Sequence, residues 1–244
     1  MAGELEVVDA LRAAILRGDY APRQRLTEVD LCEQFDATRF IVRTALQALT
    51  GEGLVEVQRN KGARIREVSP AEAVEISEVR MALEALVGAR AAQRVGRAEK
   101  AELRGLVKEM REAVRTAQLL RYSELNVALH ATIRRISGHG TATRILEQLR
   151  AQMARHQFQL ALLPGRPAVS LGQHERIVAA IVARDPAAAE AAMREHIASV
   201  VDALRSLPDR QARQARQAAL ARGGQPYEPP GLSVPPEPPA EGPA

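Results

Sequence analysis

The stretch from Thr27 to Arg66 constrains this chain most. From Leu26 onward it reads LTEVDLCEQFDATRFIVRTALQALTGEGLVEVQRNKGARI: a short helical run, a tight turn, a second helical run, then two β-prone runs around a polar tip. A helix-turn-helix followed by a hairpin wing is an arrangement that reads DNA. The second helix can be examined by angle, at about 100° per residue. With Val42 at zero, Ala45, Leu46 and Leu49 fall together as a core stripe. Arg39, Arg43 and Gln47 fall on an adjacent face. Arginine reads guanine through two hydrogen bonds, and glutamine reads adenine. Thr38 stands where an N-cap hydroxyl belongs, at a helix start that also suits a phosphate. Taken alone, the pattern fits an ordinary amphipathic helix with a solvated face equally well.

The flanks favour the DNA reading. Thr27 opens the preceding helix with a carboxylate, Asp30, three residues on, and Leu31 and Phe35 are spaced to pack inward. Leu54–Val57 and Ala63–Ile65 flank a basic tip, Gln58-Arg59-Asn60-Lys61-Gly62, in which the glycine permits a positive φ. Residues 1–68 hold ten Lys/Arg against eleven Asp/Glu, but residues 39–66 hold six against two. The positive field therefore sits on the second helix and the wing, where phosphates would lie.

Residues 4–68 resemble the winged helix of GntR-family transcription factors. The features that carry the resemblance are Gly18-Asp19-Tyr20-x-Pro22, Leu26-Thr27-Glu28, Thr38-Arg39-x-x-Val42-Arg43, Leu49-x-x-x-Gly53-Leu54-Val55 and the wing glycine Gly62. The resemblance implies that Arg39 and Arg43 read or anchor DNA and that Gly62 lies at the wing tip. It departs at Phe40-Ile41, where the family often has a small or hydroxylated residue and then proline, and at Val29, where some members carry arginine. Phe40 points almost opposite the core stripe, where it either touches a thymine methyl or forgoes the family's usual hydroxyl contact to phosphate. The DNA-contacting set is thus Thr38, Arg39, Phe40, Arg43, Gln47, Arg59, Lys61 and Gly62.

Composition bounds the rest. The chain has 244 residues, enough for two domains with cores. Aromatic residues are 2% with no tryptophan, so packing must rely on small and aliphatic side chains, which favours helices. The single cysteine, Cys32, allows no intrachain disulfide or thiolate cluster, fits a reducing cytoplasm and reads as a small core residue. No apolar run reaches membrane-span length and the N-terminus lacks a signal-peptide core, so a cytoplasmic protein with no membrane partner is expected. The net charge of +4 permits nucleic-acid binding without arguing for it.

Helical periodicity covers residues 4–17 and then nearly everything after Ser69-Pro70-Ala71-Glu72, a capped helix start. The expected helices are 70–95, 97–116, 119–137, 141–162, 170–184 and 186–207, with breaks at Gly96, Ser137–Gly140, Pro164–Pro167 and Asp185-Pro186. Beyond Pro208 the chain turns Pro- and Gly-rich, after a possible helical extension to about Arg222. The fold class is therefore mainly α: a winged helix over 1–68, an all-α bundle over 69–207 and a disordered tail over 208–244.

Polar residues stand inside the apolar stripes of this bundle. Arg80 shares a face with Ile76, Leu83, Val87 and Ala91. A buried guanidinium needs a partner, either Glu84 one turn on or an anionic ligand. A second strip, Met81, Ala85, Gly88 and Ala92, is suited to another helix or another subunit. Asn126 and His130 are four apart and point inward, with Tyr122 on the edge of their face. His174 and His196 each lie on the apolar face of a separate helix. Three inward histidines and one oxygen suit zinc or nickel, although a lone inward histidine is more often a hydrogen-bonded core residue. No inward carboxylate stands beside them as a general base, since Glu124 and Glu175 face elsewhere.

The runs YSELNVALHATIRRISGHG and LGQHERIVAAIVARDPAAAEAAMREHI resemble the FCD ligand-binding domain of FadR-type GntR regulators, over residues 72–205. That resemblance puts Asn126, His130, His174 and His196 at metal-ligand positions, with asparagine where many members have aspartate. It puts Arg80 at the effector pocket. Tyr122 borders the same face by angle, and Gln152 and His156 also face inward as candidate pocket residues. The expected protein is a sequence-specific transcription regulator, a repressor without enzymatic activity. It would act as a homodimer on a double-stranded operator, controlled by a small organic acid bound with a divalent metal. The alternatives are a metal-dependent hydrolase and a structural dimer whose histidines are core.

Overall fold

The computed structural model describes residues 3–58 and 62–221. Helix α1 (Glu4–Arg17) ends at Gly18, whose φ of 87° is readily available only to glycine. It packs across α3 (Arg39–Gly51), the second helix of the reading pair. The first is α2 (Glu28–Phe35). The angular stripe on α3 is the observed core stripe: Val42, Ala45, Leu46 and Leu49 are buried with Val7, Leu11, Leu31, Leu54, Val55 and Ile65. Phe35 and Cys32 pack against this core half-buried.

The wing is the antiparallel pair β2 (Val55–Gln58) and β3 (Gly62–Ile65). A third strand, β1 (Arg25–Leu26), pairs with the other side of β3, in the order β1-β3-β2. Two residues carry no readable alternation, so β1 has no sequence signal. It exists because β3 offers Arg64 and Ala63 as register partners for Arg25 and Leu26.

The helical domain comprises α4 (Pro70–Arg94), α5 (Arg97–Arg115), α6 (Leu119–Ser137), α7 (Gly140–Gln152), α8 (Ala154–Ala161), α9 (Arg166–Ala183) and α10 (Pro186–Ala221). Ser69 Oγ caps α4 by accepting from the Glu72 amide at 3.1 Å, while the Glu72 carboxylate pairs with Arg66 rather than folding back on the cap. Helix α4 lies against α6, α7 and α9. Its small-residue strip is intramolecular at Gly88, which is buried against α10: a Cβ there would sit 3.3 Å from the Ala189 carbonyl, a tight contact.

Two boundaries differ from expectation. The helix expected over 141–162 is two helices, broken at Met153 without glycine or proline. Met153 is fully buried, and the side chains on either side of it, Gln152 and His156, are bonded to the winged domain. Tertiary contacts hold that break. Helix α9 starts at Arg166 instead of 170, because Pro167 occupies the first turn, where its missing N–H is not needed. Helix α10 continues through Ala221, which agrees with the extension expected to about Arg222, and the rest of the expected tail lies outside the described residues. Residues through Ser206 form one compact unit. Among the described residues, no helix is long and apolar enough to cross a membrane.

Candidate functional site: a DNA-reading face and a histidine cavity

Thr38, Arg39, Phe40, Arg43 and Gln47 are all exposed on the first turns of α3. Thr38 Oγ1 accepts the Ile41 amide at 3.4 Å, a long cap bond. Phe40 is 74% exposed. Gly62 is exposed with φ of 80°, so its backbone conformation rather than any close neighbour requires glycine. Arg59 and Lys61 lie outside the described residues. A groove between α3 and the wing is lined by Glu28, Arg43, Gln47 and Gly62, among others. Arg43 is not free there: its Nε donates to Glu28 Oε1 at 2.7 Å. That hydrogen bond raises the guanidinium pKa and lowers the Glu28 carboxyl. The positive field is also narrower than the charge count implied, because Arg64 pairs with Glu56 and Arg66 with Glu72.

In the helical domain, α6, α9 and α10 bring His130, His174 and His196 together. One ring nitrogen from each lies within 4.8 Å of the others, and all three residues are buried. Ring centroids are 4.4 Å apart for His174–His196, 5.4 Å for His130–His174 and 5.5 Å for His130–His196. The Nδ1 atoms are taken separately. His130 Nδ1 lies 3.4 Å from Glu84 Oε2, His174 Nδ1 lies 3.3 Å from the Tyr122 hydroxyl, and His196 Nδ1 lies 2.9 Å from Gln173 Oε1. Each ring is thus held through Nδ1, which leaves Nε2 for whatever the three share. Such outer partners fix the tautomer of metal-bound histidines. His174 Nε2 is buried with no hydrogen-bond partner, as is Asn126 Oδ1. Burial first, and then neighbouring positive groups, holds His174 and His196 well below the usual imidazole range. A buried imidazole nitrogen with no protein partner, as at His174 Nε2, is a donor that a borderline divalent ion takes. The donor set fits such an ion.

Beside the histidines lies a cavity of about 90 Å³ whose walls include Arg80, Tyr122, Asn126, His130, Arg150, Arg166 and His196. Arg80 meets both readings of its sequence position. Its Nη2 lies 3.6 Å from Glu84 Oε1, an ion pair beyond hydrogen-bonding reach, and its Nε is buried without a partner. Burial lowers the Arg80 pKa, and Glu84 only partly offsets this. Glu84 itself is fully buried. Burial would raise its carboxyl, but His130, Arg80 and Arg134 outweigh that and hold it at about 2. Glu84 corrects the expectation that no inward carboxylate approaches the histidines. By contrast, Glu175 pairs with Arg111 on the surface and Glu124 with Arg121. Arg150 and Arg166 were not singled out in the sequence. Both lie at helix ends, where the apolar stripe that exposes an out-of-place charge is interrupted.

Gln152 and His156 are not in this cavity. Gln152 Nε2 donates to the Glu52 carbonyl at 2.9 Å, and His156 Nε2 lies 2.9 Å from the Val68 carbonyl. The inward angle was real, but the break at Met153 turns both residues towards the winged domain. They line a separate 440 Å³ cleft with Tyr20, Gly53 and Leu54. That cleft is larger than the histidine cavity, but Gln152 and His156 in its wall are already bonded to backbone carbonyls, so its size alone does not make it the site.

A winged helix joined to a helical domain with a polar cavity defines a class: a DNA-binding transcription regulator that carries a second, helical domain. The comparisons identify the family. Residues 4–65 match the bacterial regulatory proteins of the gntR family, and residues 75–199 match the FCD domain. The transcriptional repressor RspR of Escherichia coli is 27% identical over 83% of this chain and 89% of its own. A regulator in an unstable DNA locus of Streptomyces ambofaciens is 30% identical over 79% of this chain and 80% of its own. The structure of Escherichia coli McbR/YncC superposes with a TM-score of 0.70 over 84% of this chain and 99% of the other, at 22% identity. The chain belongs to the GntR family of transcription regulators, in the branch with an FCD domain, and is not an enzyme.

Proposed function

We propose that this regulator is a repressor whose operator binding is controlled by a small organic acid bound beside a divalent metal. The observation that carries the reading is the convergence of three buried histidines, each with a partner at Nδ1 and His174 with a buried Nε2 that no protein group satisfies, next to a buried arginine lacking a full partner. His130, His174, His196 and Asn126 would hold the metal, zinc or nickel, which when bound supplies a positive centre for a carboxylate. Arg80 would take the acid through its guanidinium fork, and Tyr122 would orient His174. The repressor assignment draws on the similarity to RspR, a named repressor.

On the DNA side, Arg39, Arg43 and Gln47 would reach base edges, Phe40 would contact a thymine methyl and Thr38 a phosphate. Arg59, Lys61 and Gly62 would follow the adjacent groove as a wing. A cytoplasmic homodimer would place two such faces on a near-palindromic operator. The domain division is taken at 68/69, with the effector domain ending near 207. Operator affinity changes only if the acid binds one arrangement of the dimer better than the other.

The test is metal analysis of the purified protein before and after chelation, paired with an operator shift assay. Bound metal, and a shift that responds to an organic acid only in the metal-replete protein, support the reading. Protein without metal as purified and after zinc or nickel addition would overturn it.

A further inference from the structure

The cleft between the winged domain and the α7–α8 break has a buried acceptor in its wall that no protein group uses. His156 lines the cleft and is 7% exposed. Its Nε2 lies 2.9 Å from the Val68 carbonyl, which can only accept, so Nε2 carries a ring proton. In the neutral imidazole Nδ1 is then a bare acceptor, and it is buried without a partner. Leaving such an acceptor unmade costs stability. The other polar side chains of the wall are committed. Gln152 donates to the Glu52 carbonyl and accepts from Arg66, and the Tyr20 hydroxyl donates to Gln34 Oε1 at 2.8 Å. Arg17 pairs with Asp19, Arg66 with Glu72 and Glu67 with Arg23.

The rest of the wall is largely apolar. Ile15 and Leu16 come from α1, Leu54 and Ile65 from the base of the wing, and Ala151 and Ala154 from either side of the break. At 440 Å³ the cleft falls within the range of about 300–1,000 Å³ usual for small-molecule sites. A charged ligand would leave its desolvation uncompensated here, since the charged groups of the wall are already paired. A neutral apolar ligand gains by burial, and one N–H or O–H on it would satisfy Nδ1. We propose that this cleft is a second ligand site, separate from the histidine cavity. It would take a neutral, largely apolar molecule, about the size of a fused aromatic bicycle, with one hydrogen-bond donor directed at His156 Nδ1. Its walls belong to α1 and the wing on one side and to α7 and α8 on the other. A ligand there bridges the two domains and favours this arrangement of them.

The experiment is calorimetry on the full-length protein with 2-naphthol, 2-methoxynaphthalene and 2-naphthoate, which share a ring system and differ in carrying a donor, no donor or a negative charge. 2-Naphthol is expected to bind about fivefold or more tighter than the methyl ether, the worth of one neutral hydrogen bond, and tighter than the carboxylate. Its affinity should be the same before and after chelation, because the histidine cavity takes no part. His156→Gln keeps an amide nitrogen about where Nε2 donates to Val68 but removes the Nδ1 acceptor, so it should bring 2-naphthol and the ether to equal affinity. Ala154→Leu should fill the cleft and weaken both by about tenfold. Melting curves of the two variants separate a changed cleft from a lost fold. No binding of 2-naphthol, tighter binding of 2-naphthoate, loss of binding on chelation, or wild-type affinity in Ala154→Leu overturns the site. A preference for 2-naphthol over the ether that survives in His156→Gln overturns the role of Nδ1.

Discussion

Arg43 is an arginine that DNA must take from another partner. Its Nε is held by Glu28 at 2.7 Å, so operator contact requires an exchange of hydrogen bonds on an exposed surface, where ion pairs are weak. Arg43→Ala is expected to abolish operator preference without shifting the melting temperature, since the side chain is outside the core. A mobility-shift series against operator and scrambled DNA checks this, and an unchanged sequence preference would remove Arg43 from the reading face. In the cavity, His174 carries the buried Nε2 that no protein group satisfies. We expect His174→Ala to lose the metal and blunt the effector response. Gln173→Leu, which removes the acceptor of the His196 Nδ1 proton, should weaken metal affinity about 10–100-fold. Metal titration reads both, and full metal content in His174→Ala would refute the ligand assignment. Arg43 and His174 were legible because each broke the expected pattern of its helix. Glu84 could be read only as a partner for Arg80, because its contact with His130 joins helices 46 residues apart in sequence.

At the scale of elements, α7 touches both sites. Its end carries Arg150 into the cavity. From the same helix, Gln148 donates to the Gly51 carbonyl and Gln152 to the Glu52 carbonyl, both at 2.9 Å, at the C-terminus of the reading helix α3. Gly53 permits this approach, since a Cβ there would lie 2.6 Å from Gln152 Nε2. A shift of α7 on effector binding would therefore be felt at the end of α3. The double variant Gln148→Ala/Gln152→Ala is expected to keep effector affinity but lose most of the operator response, with a stability cost of about 1–3 kcal/mol for two hydrogen bonds. Calorimetry beside a shift assay distinguishes the two readouts, and a response of wild-type size would exclude this route. Helix ends with caps or glycine were readable in sequence: Ser69, Thr27 and Gly18 each stop or start a helix as expected. The break at Met153 was not, because no residue there disfavours helix. The contacts of Gln152 and His156 impose it.

For the whole molecule, the proposed dimer makes a geometric prediction. Random-sequence selection with the purified protein should return a near-palindrome whose half-sites lie about one helical turn, 10–10.5 base pairs, or a multiple of it apart. A single half-site with no repeat would argue for a monomeric reader. In the small-residue strip of α4, Gly88 is covered by α10 and is not open to the proposed partner.

The sequence by itself determined the mainly helical class, the core stripe of α3, the positive φ of Gly62 and the inward direction of the three histidines. Each is a local matter of period, cap or backbone freedom. Only the tertiary structure decided that the histidine nitrogens converge within 4.8 Å, that Arg150 and Arg166 join Arg80, and that Gln152 and His156 serve the winged domain instead of the cavity. Periodicity fixes which way a side chain faces on its own helix. What it meets there depends on how helices far apart in sequence pack, and on a break that only those contacts hold open.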